Sequence, residues 1–511
     1  MIRRKSTLFL CLFVFVHALT IVRPCDAADK PNIVLFLVDD MGPMDTSVPF
    51  MTDEDGKAKR YPLNDYYRTP NMERLAKQGT RLSQFYAMSV CSPSRTSLIT
   101  GQNATRHGVT QYIKSQKNNR GKFGPPEWNW TGFDNPKATL AGVLKSQGYH
   151  TIFVGKAHFG PIGAPTEFPT YLGYDVNIAG CSWGQPGSYY AQDGYGLIKG
   201  WKERAVPDLD KYHGTDTFLT EALTIEGKAA VDDAVKSGKP FFLHFAPYAV
   251  HAPFQANPRY LENYPKSEEH KHAQAFGTLV ESMDTALGEL MDQLEAKGVA
   301  DNTLILFLGD NGSDAPLGRA HEHTGSFPLR GIKATHYEGG TRTPFMAAWA
   351  KHNPDNPWQK KLPIARGQIN TQLGTIMDIY PTILNLIGAQ APEGHVLDGF
   401  DLSKQLLNQP NPDRPVRFLM HFPHDHRSSY FTSLRLDDWK LIYQYTPHNP
   451  AKDHIELFNL KEDPFETTNV ARKEPGRVKQ LIREMIKQLE AENALYPVDA
   501  DGNELKPIVP D

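Results

Sequence analysis

NIVLFLVDDMG, residues 32–42, is the stretch on which the fold class turns. Residues 33–38 form an unbroken apolar run, and Asp39-Asp40 ends it. A strand with one wet face would alternate apolar and polar side chains. A continuous run instead suits a strand covered on both faces. Similar runs recur at 151–154, 241–246, 304–308 and 346–349. Between them, helical periodicity spans 70–77, 138–146, 217–237, 275–296 and 375–387. Doubly covered strands spaced by helices predict an α/β fold: a large, mostly parallel mixed sheet sandwiched by helices. The Pro-rich stretch 408–415 reads as a linker. Short strand-like runs at 418–420, 431–434 and 439–445, then a helix near 474–489, predict a smaller C-terminal α+β domain.

In open parallel sheets, ligands sit beyond the carboxyl ends of the strands. Asp39 and Asp40 follow the first run, Lys156 and His158 the second, His251 the third, and Asp310 and Asn311 the fourth. Each element alone is ordinary, since an Asp after a strand is commonly a turn or helix cap. Together they bring three carboxylates and an amide to one edge, beside cationic side chains. Oxygen donors of this kind suit a hard divalent cation, Ca²⁺ or Mg²⁺, rather than zinc. The cations suit an anionic substrate bound next to it.

Composition narrows the partners. Of 511 residues, 55 are Lys or Arg and 58 Asp or Glu, a net charge of −3. That balance gives no electrostatic reason to expect nucleic acid. Arg3, Arg4 and Lys5 precede an apolar run at 8–22, and Cys25-Asp26-Ala27 places small residues for a cut after Ala27. This reads as a secretory signal peptide. The expected division is therefore leader 1–27, catalytic domain 28–407 and C-terminal domain 408–511. The expected mature protein is exported, periplasmic or secreted, and does not span a membrane. Cleavage removes Cys11 and Cys25, leaving Cys91 and Cys181. Either these two pair or one is kept for chemistry. Asn103-Ala-Thr105 and Asn129-Trp-Thr131 are glycosylation sequons.

CSPSRTSLITG, residues 91–101, then carries a family resemblance. It resembles the signature of the type I sulfatases, members of the alkaline-phosphatase-like superfamily, in which C-x-P-S-R marks a cysteine converted to formylglycine (3-oxoalanine). The likeness continues in residues 32–42, in Gly155-Lys156-Ala157-His158 with Ala where Trp is usual, and in Gly309-Asp310-Asn311-Gly312. It extends through 330–344, 378–382 and 456–464, so it spans about residues 30–470. The resemblance implies a sulfuric ester hydrolase. Asp39, Asp40, Asp310, Asn311 and modified Cys91 would hold one Ca²⁺, with Mg²⁺ as the alternative. Arg95 would hold the aldehyde hydrate, and Lys156 and Lys333 would bind sulfate oxygens. His158 would act as base and His251 as acid toward the leaving alcohol. A formylglycine-generating maturation enzyme is the implied partner.

The chemistry agrees with that expectation. A thiol attacking sulfur would be trapped as a stable adduct, whereas an aldehyde hydrate attacks with one hydroxyl and collapses through the other. Two other readings stand beside this one: a phosphate or phosphonate monoester hydrolase of the same superfamily, and a non-catalytic binding protein. Export and the aromatic loop 111–136, with Tyr112, Phe123, Trp128 and Trp130, suit a sulfated carbohydrate. His421 and His424, in the segment 421–427, are expected to bind substrate at the pocket mouth.

Overall fold

The structure, a computed structural model, describes residues 30–198, 202–266, 272–317, 325–448 and 454–510. The expected leader, residues 1–27, lies outside them. The first strand, β1 (Asn32–Val38), is buried along its whole length. It sits inside an eight-stranded sheet. The other strands are β2 (Thr80–Leu82), β3 (His150–Gly155), β4 (Val176–Ile178), β5 (Phe241–Ala246), β6 (Thr303–Gly309), β7 (Phe345–Trp349) and β8 (Gln368–Asn370). Their spatial order is β8-β2-β7-β6-β1-β5-β3-β4. β1 pairs in parallel with β5 and β6, and β7 alone runs against its neighbours, which makes the sheet mixed. The five expected strands are β1, β3, β5, β6 and β7. Strands β2, β4 and β8 have three residues each, too short to display a period in sequence.

Successive side chains of a strand point to opposite faces. Val34, Phe36 and Val38 therefore join one core and Ile33, Leu35 and Leu37 another. Among the described residues, the helices of seven residues or more are, in chain order, α1 (Pro70–Gln78), α2 (Cys91–Thr100), α3 (Leu140–Ser146), α4 (Leu219–Ser237), α5 (Ala273–Ala296), α6 (Ile379–Ile387) and α7 (Pro475–Ala491). Helices α1, α4 and α5 cover the first face; α2, α3 and α6 cover the second. Three layers result, which explains the unbroken apolar runs.

Phe36 shows what holds the centre. It is fully buried, with its ring centroid 5.1 Å from that of Phe245 and 5.4 Å from that of Phe307. Phe36→Ala removes that packing between three adjacent strands and is expected to cost about 3–5 kcal/mol of unfolding free energy. Denaturant titration reads this directly. A loss below about 1 kcal/mol would show that the sheet centre does not depend on that contact.

The C-terminal strands β9 (Arg417–Phe422), β10 (Phe431–Leu436), β11 (Trp439–Gln444) and β12 (His454–Asn459) form an antiparallel meander. Leu434, Leu441 and Leu457 pack against Leu481, Ile482 and Met485 of α7. Phe418, Met420 and Phe422 join the second core of the large sheet instead. The meander therefore presents one face to its own helix and the other to the main body. Among the described residues, no helix is long and apolar enough to cross a membrane.

Candidate active site

Strands β6, β1, β5 and β3 are consecutive neighbours, so their carboxyl ends form one short edge. Asp39 and Asp40 leave β1 there, and Asp310 and Asn311 leave β6. The two turns are tied together. The Asp310 amide donates to the Val38 carbonyl at 3.0 Å, and the Asp40 amide to Asp310 Oδ1 at 3.0 Å. Carboxylate oxygens of Asp39, Asp40 and Asp310 lie within 4.8 Å of one another, all buried. Asn311 Nδ2 donates to Asp40 Oδ1 at 2.9 Å. That leaves Asn311 Oδ1 buried with no hydrogen-bond partner, as is Asp39 Oδ1.

Each carboxylate has a close cationic partner. Lys156 Nζ is 2.6 Å from Asp39 Oδ2, Lys333 Nζ is 2.6 Å from Asp40 Oδ1, and Arg95 Nε is 2.9 Å from Asp310 Oδ2. Burial pushes Asp39 and Asp310 up to about 6, against the pull of Lys156 and Arg95. Burial also opposes ionisation of Asp40, but His251, Lys333 and Lys156 together hold it well below the usual carboxylate range. The cluster could hold a metal ion. Crowded buried carboxylates and unpartnered, oxygen-only lone pairs fit a hard divalent cation.

Helix α2 begins at Cys91, and all ten of its residues are buried. It ends at Gly101, whose φ of +67° is left-handed and whose amide caps the Ser97 carbonyl at 2.9 Å. A Cβ there would also lie 2.8 Å from Leu397 Cδ2. Cys91 Sγ is 3.3 Å from His158 Nδ1, and His158 Nε2 is 2.6 Å from the Ile113 carbonyl. A carbonyl only accepts, so Nε2 carries the proton and Nδ1 turns its lone pair toward residue 91. Burial holds this imidazole neutral, down to about 3, and nearby Lys156 adds to the effect. Arg95, one turn along α2, donates from Nη1 to the Lys156 carbonyl at 2.6 Å. Asp40 and His158 both adopt left-handed backbone, φ 58° and 56°. Such conformations cost about 1–3 kcal/mol each and persist where surroundings impose them.

Gly184 is one such surrounding. A Cβ on it would sit 2.5 Å from His158 Cε1 and 2.9 Å from Nδ1. Gly184→Ala must therefore rotate the ring away from Cys91. The expected result is a fall in kcat of about 10–100-fold with KM little changed. Steady-state kinetics check it, and an unchanged kcat would free His158 from this constraint.

Cys91, His158, His251 and Lys333 line a cleft of about 440 Å³. His251 follows β5, with Nε2 3.4 Å from Asp40 Oδ2 and Nδ1 2.9 Å from the Ala252 carbonyl. Burial lowers it to about 3, although Asp40 pulls the other way. The cleft wall adds Tyr112, Trp183, Arg204, His426 and Arg427. Of the aromatic residues in the 111–136 loop, Tyr112 alone lines the cleft, whereas Phe123 and Trp128 are buried elsewhere.

Two expected substrate residues need correction. His421 is fully buried, its Nδ1 2.7 Å from Thr432 Oγ1 and its Nε2 2.9 Å from the Leu495 carbonyl. His424 is also fully buried, its Nε2 2.8 Å from Thr110 Oγ1. Both spend their ring nitrogens inside the packing and neither lines the cleft. The last two residues of that segment, His426 and Arg427, do. Cys91 and Cys181 are unbridged, and burial pushes the Cys181 thiol up to about 11. The Asn103 sequon amide is buried and donates to the Leu419 carbonyl at 3.0 Å. Trp183 and Gly184 sit in an irregular loop and Arg204 ends the three-residue 3₁₀ turn Lys202–Arg204, so none of them has a period to read in the sequence.

Comparison with known proteins adds the family. The profile described as Sulfatase matches residues 31–389. The chain belongs to the sulfatase family. As a sulfatase it is a sulfuric ester hydrolase. A second profile, N-sulphoglucosamine sulphohydrolase, C-terminal, matches residues 332–494. The N-acetylgalactosamine-6-sulfatase of Mus musculus is 31% identical over 396 residues, 76% of this sulfatase and 69% of that chain. A sulfatase of Formosa agariphila is 29% identical over 513 residues, covering 88% and 86%. Among solved structures, Ps i-CgsB in complex with k-i-k-neocarrahexaose matches with a TM-score of 0.68 at 27% identity, covering 90% of this chain and 93% of that one.

Proposed function

We propose that this sulfatase is exported and hydrolyses sulfate monoesters on a carbohydrate, using formylglycine made from Cys91 and one Ca²⁺. The observation that carries the reading is residue 91 itself: it opens a buried helix at the foot of the cleft, 3.3 Å from the lone-pair nitrogen of His158. Asp39, Asp40, Asp310, Asn311 and residue 91 would hold the cation. Their oxygen donors favour Ca²⁺, with Mg²⁺ as the alternative. The cation would supply charge to acidify a hydroxyl and neutralise sulfate oxygens. The hydrated aldehyde would supply one hydroxyl to attack and a second whose collapse releases sulfate.

The chain's own side chains do the rest. Lys156 and Lys333, held by Asp39 and Asp40, present ammonium groups to sulfate oxygens. Arg95 ties the Lys156 backbone to Asp310 and shields charge at residue 91. His158 takes a proton at Nδ1. His251 gives one to the leaving alcohol, and a bound sulfate ester beside it raises its proton affinity.

A carbohydrate is supported by relatives named for N-acetylgalactosamine 6-sulfate chemistry or crystallised with a neocarrahexaose. Export and the leader 1–27 are supported by the basic start and apolar run 8–22. The boundary at 407/408 is supported by the short helix ending at Leu406 and the meander beginning at Arg417. The test pairs p-nitrophenyl sulfate with p-nitrophenyl phosphate. The sulfate ester is expected to lead in kcat/KM by at least about 100-fold. The reverse order would support the phosphate-hydrolase reading instead.

A further inference from the structure

The loop 330–339 carries Lys333 and is tied at two levels. Its middle docks on the reacting end of the cleft. The Lys333 amide donates to the Ser313 carbonyl at 2.9 Å, and the Ala334 amide to the Ser89 carbonyl at 2.8 Å. Its base is closed by the Gly339 amide on the Arg330 carbonyl at 2.8 Å. There both strands of the loop meet one residue of the C-terminal domain, Glu466. Arg330 Nη1 donates to the Glu466 carbonyl at 2.9 Å, and the Glu338 amide donates to Glu466 Oε2 at 2.7 Å.

Glu466 is fully buried. The turn that presents it is built locally. The Glu466 amide donates to the Asp463 carbonyl at 3.2 Å, and the Asp463 carboxylate accepts from the Thr467 amide at 3.0 Å and the Thr468 amide at 2.8 Å. That turn holds Glu466 in left-handed backbone, φ 56°, a conformation that persists where the surroundings impose it. Its other carboxylate oxygen, Oε1, is 2.8 Å from Lys440 Nζ on β11, which is 3.0 Å from Glu338 Oε1. A buried carboxylate is costly unless it is paired and hydrogen-bonded. This one is paired with its own domain through Lys440 and hydrogen-bonded to the backbone of the loop that carries Lys333.

We propose that Glu466 is a positioning residue for sulfate binding. By holding both ends of the loop 330–339, it sets where Lys333 Nζ stands, 2.6 Å from Asp40 Oδ1. The C-terminal domain then acts on the reaction through a residue that does not line the cleft. This rests on the part given to Lys333 in the sulfatase reading. A misplacement of about 1 Å caused far from the chemistry can cost about 100-fold in rate.

The test is a double-mutant cycle on kcat/KM for p-nitrophenyl sulfate. Glu466→Gln keeps the shape but turns an amide nitrogen toward the Glu338 amide or Lys440, both donors. In the wild-type background it is expected to lower kcat/KM by about 10–100-fold and to weaken inhibition by inorganic sulfate by a similar factor. In a Lys333→Gln background it should cost less than about 2-fold, because the group it positions is gone. A merely structural role would cost the same in both. Should Glu466→Gln fail to fold, Arg330→Gln takes its place in the cycle with the same expectation, since it cuts the other tie from an exposed position. Equal losses in the two backgrounds, or no loss in the wild-type one, overturn the proposal. The sulfatase reading is judged apart from this, by whether wild type prefers the sulfate or the phosphate ester. The cycle is run on the preferred ester, since Lys333 faces either anion.

Discussion

Cys91→Ser, produced in a host that converts only cysteine, is expected to lose sulfate-ester turnover by at least about a thousandfold. The serine hydroxyl would stand where Sγ stands, within reach of the His158 lone pair, so activation of the nucleophile is retained. What is missing is the second hydroxyl. A serine can attack sulfur once and then has no group with which to collapse and expel sulfate. The variant should therefore accumulate a sulfated serine, adding one sulfate to the peptide spanning residues 89–95. Mass spectrometry of that peptide reads both proteins. Active wild type should show the aldehyde or its hydrate at residue 91. A free thiol in fully active protein would overturn the mechanism.

The second large effect is at Asp310. Its Oδ1 accepts from the Asp40 amide and its Oδ2 from Arg95 Nε, so one carboxylate organises both a backbone turn and a buried guanidinium. Asp310→Asn keeps the shape but removes the charge, and its amide nitrogen must then face a donor. Breaking a buried pair by removing one partner costs about 3–5 kcal/mol. Activity is expected to fall by at least about a thousandfold through lost cation affinity and a displaced Arg95. Wild type should melt at rising temperature as Ca²⁺ is added, because a ligand that binds only the folded chain stabilises it. The variant should show no such rise. EDTA should depress wild-type activity. An Asp310→Asn protein that keeps its activity would sink the assigned ligand set.

The layered fold was readable because β1, β3, β5, β6 and β7 are covered on both faces and their apolar runs are long enough to stand out. The residues at their ends were readable for the same reason: a polar pair after such a run has few places to go except the sheet edge. Lys333 was different. It lies in a loop, where it was reached through motif likeness, and its approach to Asp40 depends on the Lys333 amide donating to the Ser313 carbonyl at 2.9 Å. The places of His421 and His424 are not legible in the sequence, because a His in a strand-like segment looks the same whether its nitrogens face a cleft or a threonine. His424 and His426 lie beyond the end of β9, where strand alternation no longer decides which of them faces the cleft. Gly184 has no side chain to announce itself, and only the three-dimensional closeness of its α-carbon to an imidazole gives it a role.

The register of β1 also sets a schedule. Ile33 pairs with Phe242, and Asn32 with Thr303, so the strand that opens the sheet must wait for partners made much later. At about 5–20 residues per second, that wait is on the order of 10–60 s. Throughout it, the segment that becomes α2 has no sheet to lie against and is open to other proteins. Once the sheet closes, Cys91 is 3% exposed and every residue of its helix is covered. The conversion proposed for Cys91 therefore belongs to the minute of synthesis rather than to the finished molecule. A cell that translates faster than its maturation enzyme works would accumulate well-folded chains with a thiol sealed inside, and no later supply of that enzyme would reach them.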